Sequence, residues 1–229
     1  LAATILVVRS GMLEEQLRRT VIWGLERTLG REVAIQRIRG DPWRGVVLED
    51  LRIAEGRTFR EGTLLRVPTV LITFDVEALF QDLLWGKRAV LPAVRQIVLR
   101  EPTLILVRDR RGSWNVEALF RQVPQPAGPA GPTFTGTVEF RGSVVRLLDL
   151  SVIPAFRATL TQVTGHLGLD GLPLIRLTAT GQAMAGNAPR SPVRVAGWVH
   201  TAEGTLDLEV EATDLPLAAW GHYLSLIHI

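Results

Sequence analysis

Apolar positions near the start of the chain recur with a helical period. Leu13, Leu17, Val21, Leu25 and Leu29 stand four apart, with Glu14, Glu15, Arg18, Arg19, Glu26 and Arg27 between them. This predicts an amphipathic helix from Ser10 to Leu29, ended at Gly30, where a residue without Cβ closes a helix at low cost. Beyond that point the period drops to two. Val33 and Ile35, then Val70, Ile72 and Phe74, then Ile97 and Leu99, and finally Leu206, Leu208 and Val210 alternate with mostly polar neighbours, as half-buried strands do. The runs 46–48 and 103–107 are apolar at every position but Thr103, so part of the sheet is covered on both sides or touches something greasy.

Turn signals separate the strands at Gly40-Asp41-Pro42, Glu55-Gly56, Asp109 to Gly112, Arg141-Gly142, Asp170-Gly171 and Glu203-Gly204, a rhythm of hairpins and meanders. Two short stretches, Val76 to Trp85 and Val116 to Val123, carry apolar residues three and four apart and read as interrupting helices. Residues 124–132 hold four prolines and read as a loop, because proline has no amide to give a ladder. The organisation expected is therefore a helix and β module over 11–123, the proline-rich loop at 124–132, and a second β segment over 133–223. Residues 1–10 are apolar apart from Thr4, Arg9 and Ser10, too short a run to span a bilayer, and read as the end of a truncated transmembrane anchor. Leu224-Ser225-Leu226-Ile227-His228-Ile229 matches the translation of a sequencing-transposon end, CTGTCTCTTATACACATC, and is expected to be an adapter remnant.

Composition narrows the function. The chain is 47% hydrophobic and 21% charged, with mean hydropathy +0.20, more apolar than an average soluble domain. The pI of about 10.4 comes from arginines; Lys87 is the sole lysine, and the net charge is only +3. These arginines are interleaved with acids and form no stripe suited to a phosphate backbone, so nucleic acid is not an expected partner. Without cysteine there is no disulfide, thiolate metal site or cysteine nucleophile. None of the H-E-x-x-H, G-x-S-x-G, G-x-G-x-x-G or P-loop patterns occurs, and His166, His200, His222 and His228 make no metal pair. The expectation is a protein without catalytic residues, cofactor or metal. Glu49 and Asp50 are adjacent on a strand and point to opposite faces, so they cannot flank one glycosidic bond. Trp114 reads either as a sugar-stacking aromatic or as a hairpin anchor, and Asp149 either as a ligand group or as a cap for turn amides.

The order of the features resembles a known family. The apolar start, the helix ending in Leu-Gly, Val33-Ala34-Ile35 through Gly40, and Gly45 to Leu51 are similar to the N-terminus of AsmA-like proteins. Leu99-Arg100-Glu101-Pro102-Thr103-Leu104 leading to Arg108-Asp109-Arg110-Arg111-Gly112-Ser113-Trp114-Asn115 resembles that family's R-D-x-x-G-x-W-N turn. Leu148-Asp149-Leu150-Ser151-Val152-Ile153-Pro154 resembles the AsmA-like branch with a D-x-S-x-x-P segment, and Asp214-Leu215-Pro216-Leu217 fits the same branch. The resemblance to the AsmA/TamB group covers roughly residues 1–223 and rests on structural motifs, not catalytic ones.

That resemblance implies a mainly β fold: an elongated, curled, groove-like antiparallel sheet with an N-terminal helix and short interrupting helices. It further implies a single N-terminal span in the bacterial inner membrane, a periplasmic body, and an apolar groove that carries or shields phospholipid or another acyl lipid, in transport to the outer membrane or its assembly. The candidate lining residues are Val70, Ile72, Phe74, Ile97, Leu99, Leu206, Leu208 and Val210, with ordinary core as the alternative for each. Two rival functions remain open: a scaffold that holds outer-membrane assembly proteins by strand addition at a sheet edge, and an envelope hydrolase or glycan binder using Trp114, Asp149 or His166.

Overall fold

The helical period is realised as α1, Gly11–Leu29. A computed structural model of the chain describes residues 11–41, 45–74, 94–117, 136–171, 173–200, 203, 205–216, 218 and 220. Gly30 closes α1 with φ 64°, and its amide donates to the Glu26 carbonyl at 2.8 Å, a conformation that costs a residue with Cβ more than glycine. The inward side of α1, Val21, Ile22, Leu25 and Leu29, packs on a core of Val33, Ile35, Ile38, Leu48, Leu51, Val67 and Val70. Arg18 ties the helix down by donating to the Ile35 carbonyl at 3.0 Å. Arg18 and Arg19 also donate to Glu15, each at 2.8 Å, and these bonds lower the Glu15 carboxyl to about 2.

Eleven strands follow in a single sheet: β1 (Val33–Ala34), β2 (Arg37–Asp41), β3 (Gly45–Ala54), β4 (Thr63–Phe74), β5 (Val94–Arg100), β6 (Thr103–Arg108), β7 (Thr137–Asp149), β8 (Phe156–Gly171), β9 (Leu174–Ala185), β10 (Ser191–His200) and β11 (Thr205–Ala212). Their order is β1-β3-β4-β5-β7-β8-β9-β10-β11, with β2 beside β3 and β6 between β4 and β7. The chain is thus mainly β with one N-terminal helix. Pairing is antiparallel throughout except at β7, which runs parallel to both β5 and β6. The parallel step follows from connectivity: the chain leaves β6 at Arg108 and re-enters at Thr137, and a long crossover, unlike a hairpin, brings a strand back in the same direction. One sheet therefore spans both sides of the proline-rich segment.

One expectation is corrected. Among the described residues no helix is long and apolar enough to cross a membrane, so the single N-terminal span in the inner membrane is not supported. The reason is visible in α1, whose exposed side carries Gln16, Arg19, Thr20 and Arg27 and which lies against the sheet. The anchor remnant read in residues 1–10, the helical patch at Val76 to Trp85, most of that at Val116 to Val123, the loop at 124–132 and the adapter-like end at Leu224 to Ile229 lie outside the described residues.

The sheet is creased. Asp50 has φ 49°, Glu101 φ 52°, Gly142 φ 66° and Gln162 φ 54°, and the register places them on successive ladders. Asp50 falls opposite Pro68, between the pairs Glu49–Thr69 and Leu51–Val67. Glu101 separates β5 from β6, which otherwise continue one another against β4 and β7. The β7–β8 and β8–β9 ladders slip at 140–145 and 161–164. Such bulges bend the bulged strand and raise its twist, and prolines are tolerated there because no ladder amide is needed. The left-handed residues of β3, β7 and β8, with Glu101 between β5 and β6, thus stand at one level of the sheet. Ion pairs from Arg66 at 2.7 Å and Arg52 at 3.2 Å hold Asp50 in its left-handed conformation.

Candidate functional site

Pairing puts laterally opposed residues on one face, so the registers define what each face presents. One row runs from Val70 to Leu99, Phe140, Gly165, Ala179, Val195 and Val210. The next runs from Ile72 to Ile97, Val138, Leu167, Leu177, Gly197 and Leu208. Past the crease a third runs Leu65, Leu104, Val145, Leu160 and Ala183. The first two rows are wholly apolar, and the third is apolar as far as Ala183, before it reaches Ser191 on β10. The other face carries rows such as Glu49, Thr69, Arg100 and Arg141, or Glu139, His166 and Thr178, interrupted by the apolar Val47, Leu71 and Val98.

The apolar face is the inside of the fold. A cavity of about 420 Å³ is lined from β4 to β10, and Leu160 and Leu167 of one strand both border it. Leu160 and Leu167 stand on either side of the slip at 161–164, so the bend there lets both halves of β8 border one space. Lining residues include Leu104, Leu106, Phe140, Val145, Val163 and Leu177. Gly165 makes room for the Phe140 ring: a Cβ there would lie 2.7 Å from Phe140 Cζ and 2.1 Å from the Thr178 carbonyl oxygen. Ser143 brings a hydroxyl to this wall; it is 4% exposed and its Oγ has no hydrogen-bond partner among the described residues.

The eight residues singled out in the sequence share this inner face but not one environment. Val70 is buried in the core on which α1 packs, with Ile72, Ile97 and Leu99 half-buried around it. Leu99 alone of the eight also borders the cavity. Phe74 ends β4 opposite Val94, after a register shift. Leu206, Leu208 and Val210 lie on β11, every residue of which is exposed. The inner face is thus filled by α1 at its β1–β3 end, lines a cavity in the middle, and is bare at β11. At the edge of β8 and β9, Trp220 packs edge-on against Phe156 at 5.2 Å, beside Ala158, Ala185 and Val152.

The family-like motifs do structural work here. Asp109 Oδ1 accepts the amides of Arg111 and Ser113 at 2.8 and 3.0 Å, which forms the turn. The Arg108 guanidinium lies 5.7 Å from the centre of the Trp114 ring and 3.5 Å from the fully buried Asp149. Asp149 in turn accepts the Ser151 amide at 2.8 Å, so it caps the β7–β8 turn. Asn115 accepts from the Val107 amide and donates to the Ile105 carbonyl and to Glu55. Arg31 joins three segments by donating to the Ala54, Glu55 and Asn115 carbonyls. Burial pushes its guanidinium down from the ordinary value, against the pull of Glu55 and Glu61. Trp114 and Asp149 meet at Arg108, whereas His166 stands beyond the crease on the outer face beside Glu139 and Thr178. The three make no common pocket. Among the described residues no three His, Asp or Glu side chains are grouped to hold a metal.

No protein-family model matches the chain, and no curated protein matches it.

The lining residues of β6 to β10 were hidden from a reading of alternation alone. Bulges at Gly142 and Gln162 reverse the phase, so Phe140, Ser143 and Val145 share a face although they are not evenly spaced. The glycine and the flanking Arg-Gly turn signal were the only local marks of that shift.

Proposed function

We propose that the chain carries or shields acyl lipid in its creased apolar groove. The observation behind this reading is the cavity, walled by the inner faces of β4 to β10 and without a charged side chain among its lining residues. Its walls are apolar side chains apart from Ser143 and Thr180, a lining suited to an acyl tail. Sheltering ten methylenes from water is worth about 8 kcal/mol, enough to hold a lipid without any catalytic group. The resemblance to AsmA/TamB proteins would give such carriage a context in phospholipid supply to the bacterial outer membrane, or in its assembly.

The test is native mass spectrometry with lipid extraction on the chain purified from a bacterial periplasm, beside a Leu177→Asp, Val195→Asp variant. Co-purifying phospholipid that falls at least tenfold in a folded variant supports carriage. A folded wild-type chain that brings down no lipid refutes it. A second reading, a scaffold acting by strand addition, is favoured by β11, which is exposed at every residue and pairs with β10 alone among the described strands. Capture of outer-membrane strand peptides, abolished by Leu208→Asp while the chain carries no lipid, would favour it.

A further inference from the structure

The strand ends on one side of the sheet form a rim of neighbouring loops. The β3–β4 hairpin is joined to the β6 turn through Asn115 and Glu55. The β6 turn meets the β7–β8 loop where the Leu150 amide donates to the Arg108 carbonyl at 2.9 Å. That loop adjoins the β9–β10 turn, whose Gly186 amide donates to the Arg157 carbonyl at 3.1 Å. Arg57, Arg60, Arg110, Arg111 and Arg190 stand exposed along this rim. Among the described residues none of their guanidinium groups has an ion pair or hydrogen bond. The rim also carries the exposed acids Glu32, Glu61, Asp109 and Asp214, one fewer than these arginines. Three of them face their own loops: Glu61 accepts the amides of Arg57 and Thr58, Asp109 those of Arg111 and Ser113, and Glu32 that of Phe59. In the middle of the row Ile153 is 93% exposed, the most exposed large apolar residue described, with Leu150 beside it at 37%.

We propose that this rim docks on an anionic phospholipid surface, the arginines meeting headgroup phosphates and Ile153 entering the interface. Unpaired guanidinium groups along a line, with a protruding aliphatic between them, combine the two attractions that hold peripheral proteins on such membranes. An acidic peptide would satisfy the arginines but leave Ile153 in water, which favours the bilayer. The docking deepens the groove reading, since it would bring the cavity against a lipid source, but it stands on the rim's own residues.

The test is co-sedimentation of the full chain with vesicles of phosphatidylcholine alone and of three parts phosphatidylcholine to one of phosphatidylglycerol. The expected result is binding only to the anionic vesicles, lost at about 0.5 M salt where screening acts within a few Å. Arg110→Glu with Arg111→Glu should weaken it at least tenfold, and Ile153→Asp several-fold, with unchanged circular dichroism because all three side chains are exposed. Equal binding to neutral vesicles, wild-type binding by both variants, or competition by soluble polyglutamate with no effect of Ile153→Asp would each overturn the proposal. Lipid that co-purifies in the cavity is read separately by mass spectrometry, so failure to dock and failure to carry are distinguishable.

Discussion

Replacing Asn115 by alanine should destabilise the protein more than any other single change in the 108–115 turn. The side chain accepts the Val107 amide at 3.1 Å and donates to the Ile105 carbonyl and to Glu55 Oε1, each at 3.0 Å. Alanine leaves a half-buried amide and carbonyl unpaired and frees Glu55 from the hairpin it links. Each half-buried orphan costs about 1 kcal/mol, giving about 2–3 kcal/mol in all. For a chain of this size that lowers Tm by about 4–12 °C, measurable by thermal circular dichroism. Asn115→Asp sharpens the test. It keeps the acceptor for Val107 but turns an oxygen toward Glu55 and the Ile105 carbonyl, so it should be worse than alanine near neutral pH. An alanine variant within about 0.5 kcal/mol of wild type, or an aspartate as stable as asparagine at neutral pH, would refute the reasoning.

Three further outcomes are expected. Gly165→Ala should cost more than about 2 kcal/mol, because its Cβ would meet a backbone oxygen at 2.1 Å that cannot move out of the β9 ladder; urea denaturation reads it, and Phe140→Ala should restore only part of the loss. Gln162→Gly should raise stability by up to about 1 kcal/mol by relieving the left-handed φ of 54°, while Gln162→Val lowers it. The Glu15 carboxyl lies at about 2, below its ordinary 4.5, chiefly through the Arg18 hydrogen bond. Its stabilising effect is therefore fully present above about 4.5 and lost as pH falls through about 2. The gap in melting temperature between wild type and Glu15→Gln should close over that window, read by thermal circular dichroism.

Alternation and turn signals in the sequence were enough to show a mainly β chain opened by one amphipathic helix, because periods of 3.6 and 2 are local consequences of backbone geometry. The turn at Asp109 to Gly112 was legible for the same reason: its amides are capped by a side chain two and four residues away. What the residues could not reveal is which apolar strands are core and which line a space. Val70 and Val195 stand in the same lateral row, yet one is buried in the core on which α1 packs and the other borders the cavity. That difference depends on where a distant helix comes to rest. The crease was equally hidden, since a bulge at Gly142 or Gln162 is unremarkable alone and folds the sheet only when neighbouring strands bend at the same level. Local pattern determined the strands; tertiary pairing decided which side chains share a face past each bulge, that one apolar face would border a cavity, and that β11 would be left exposed.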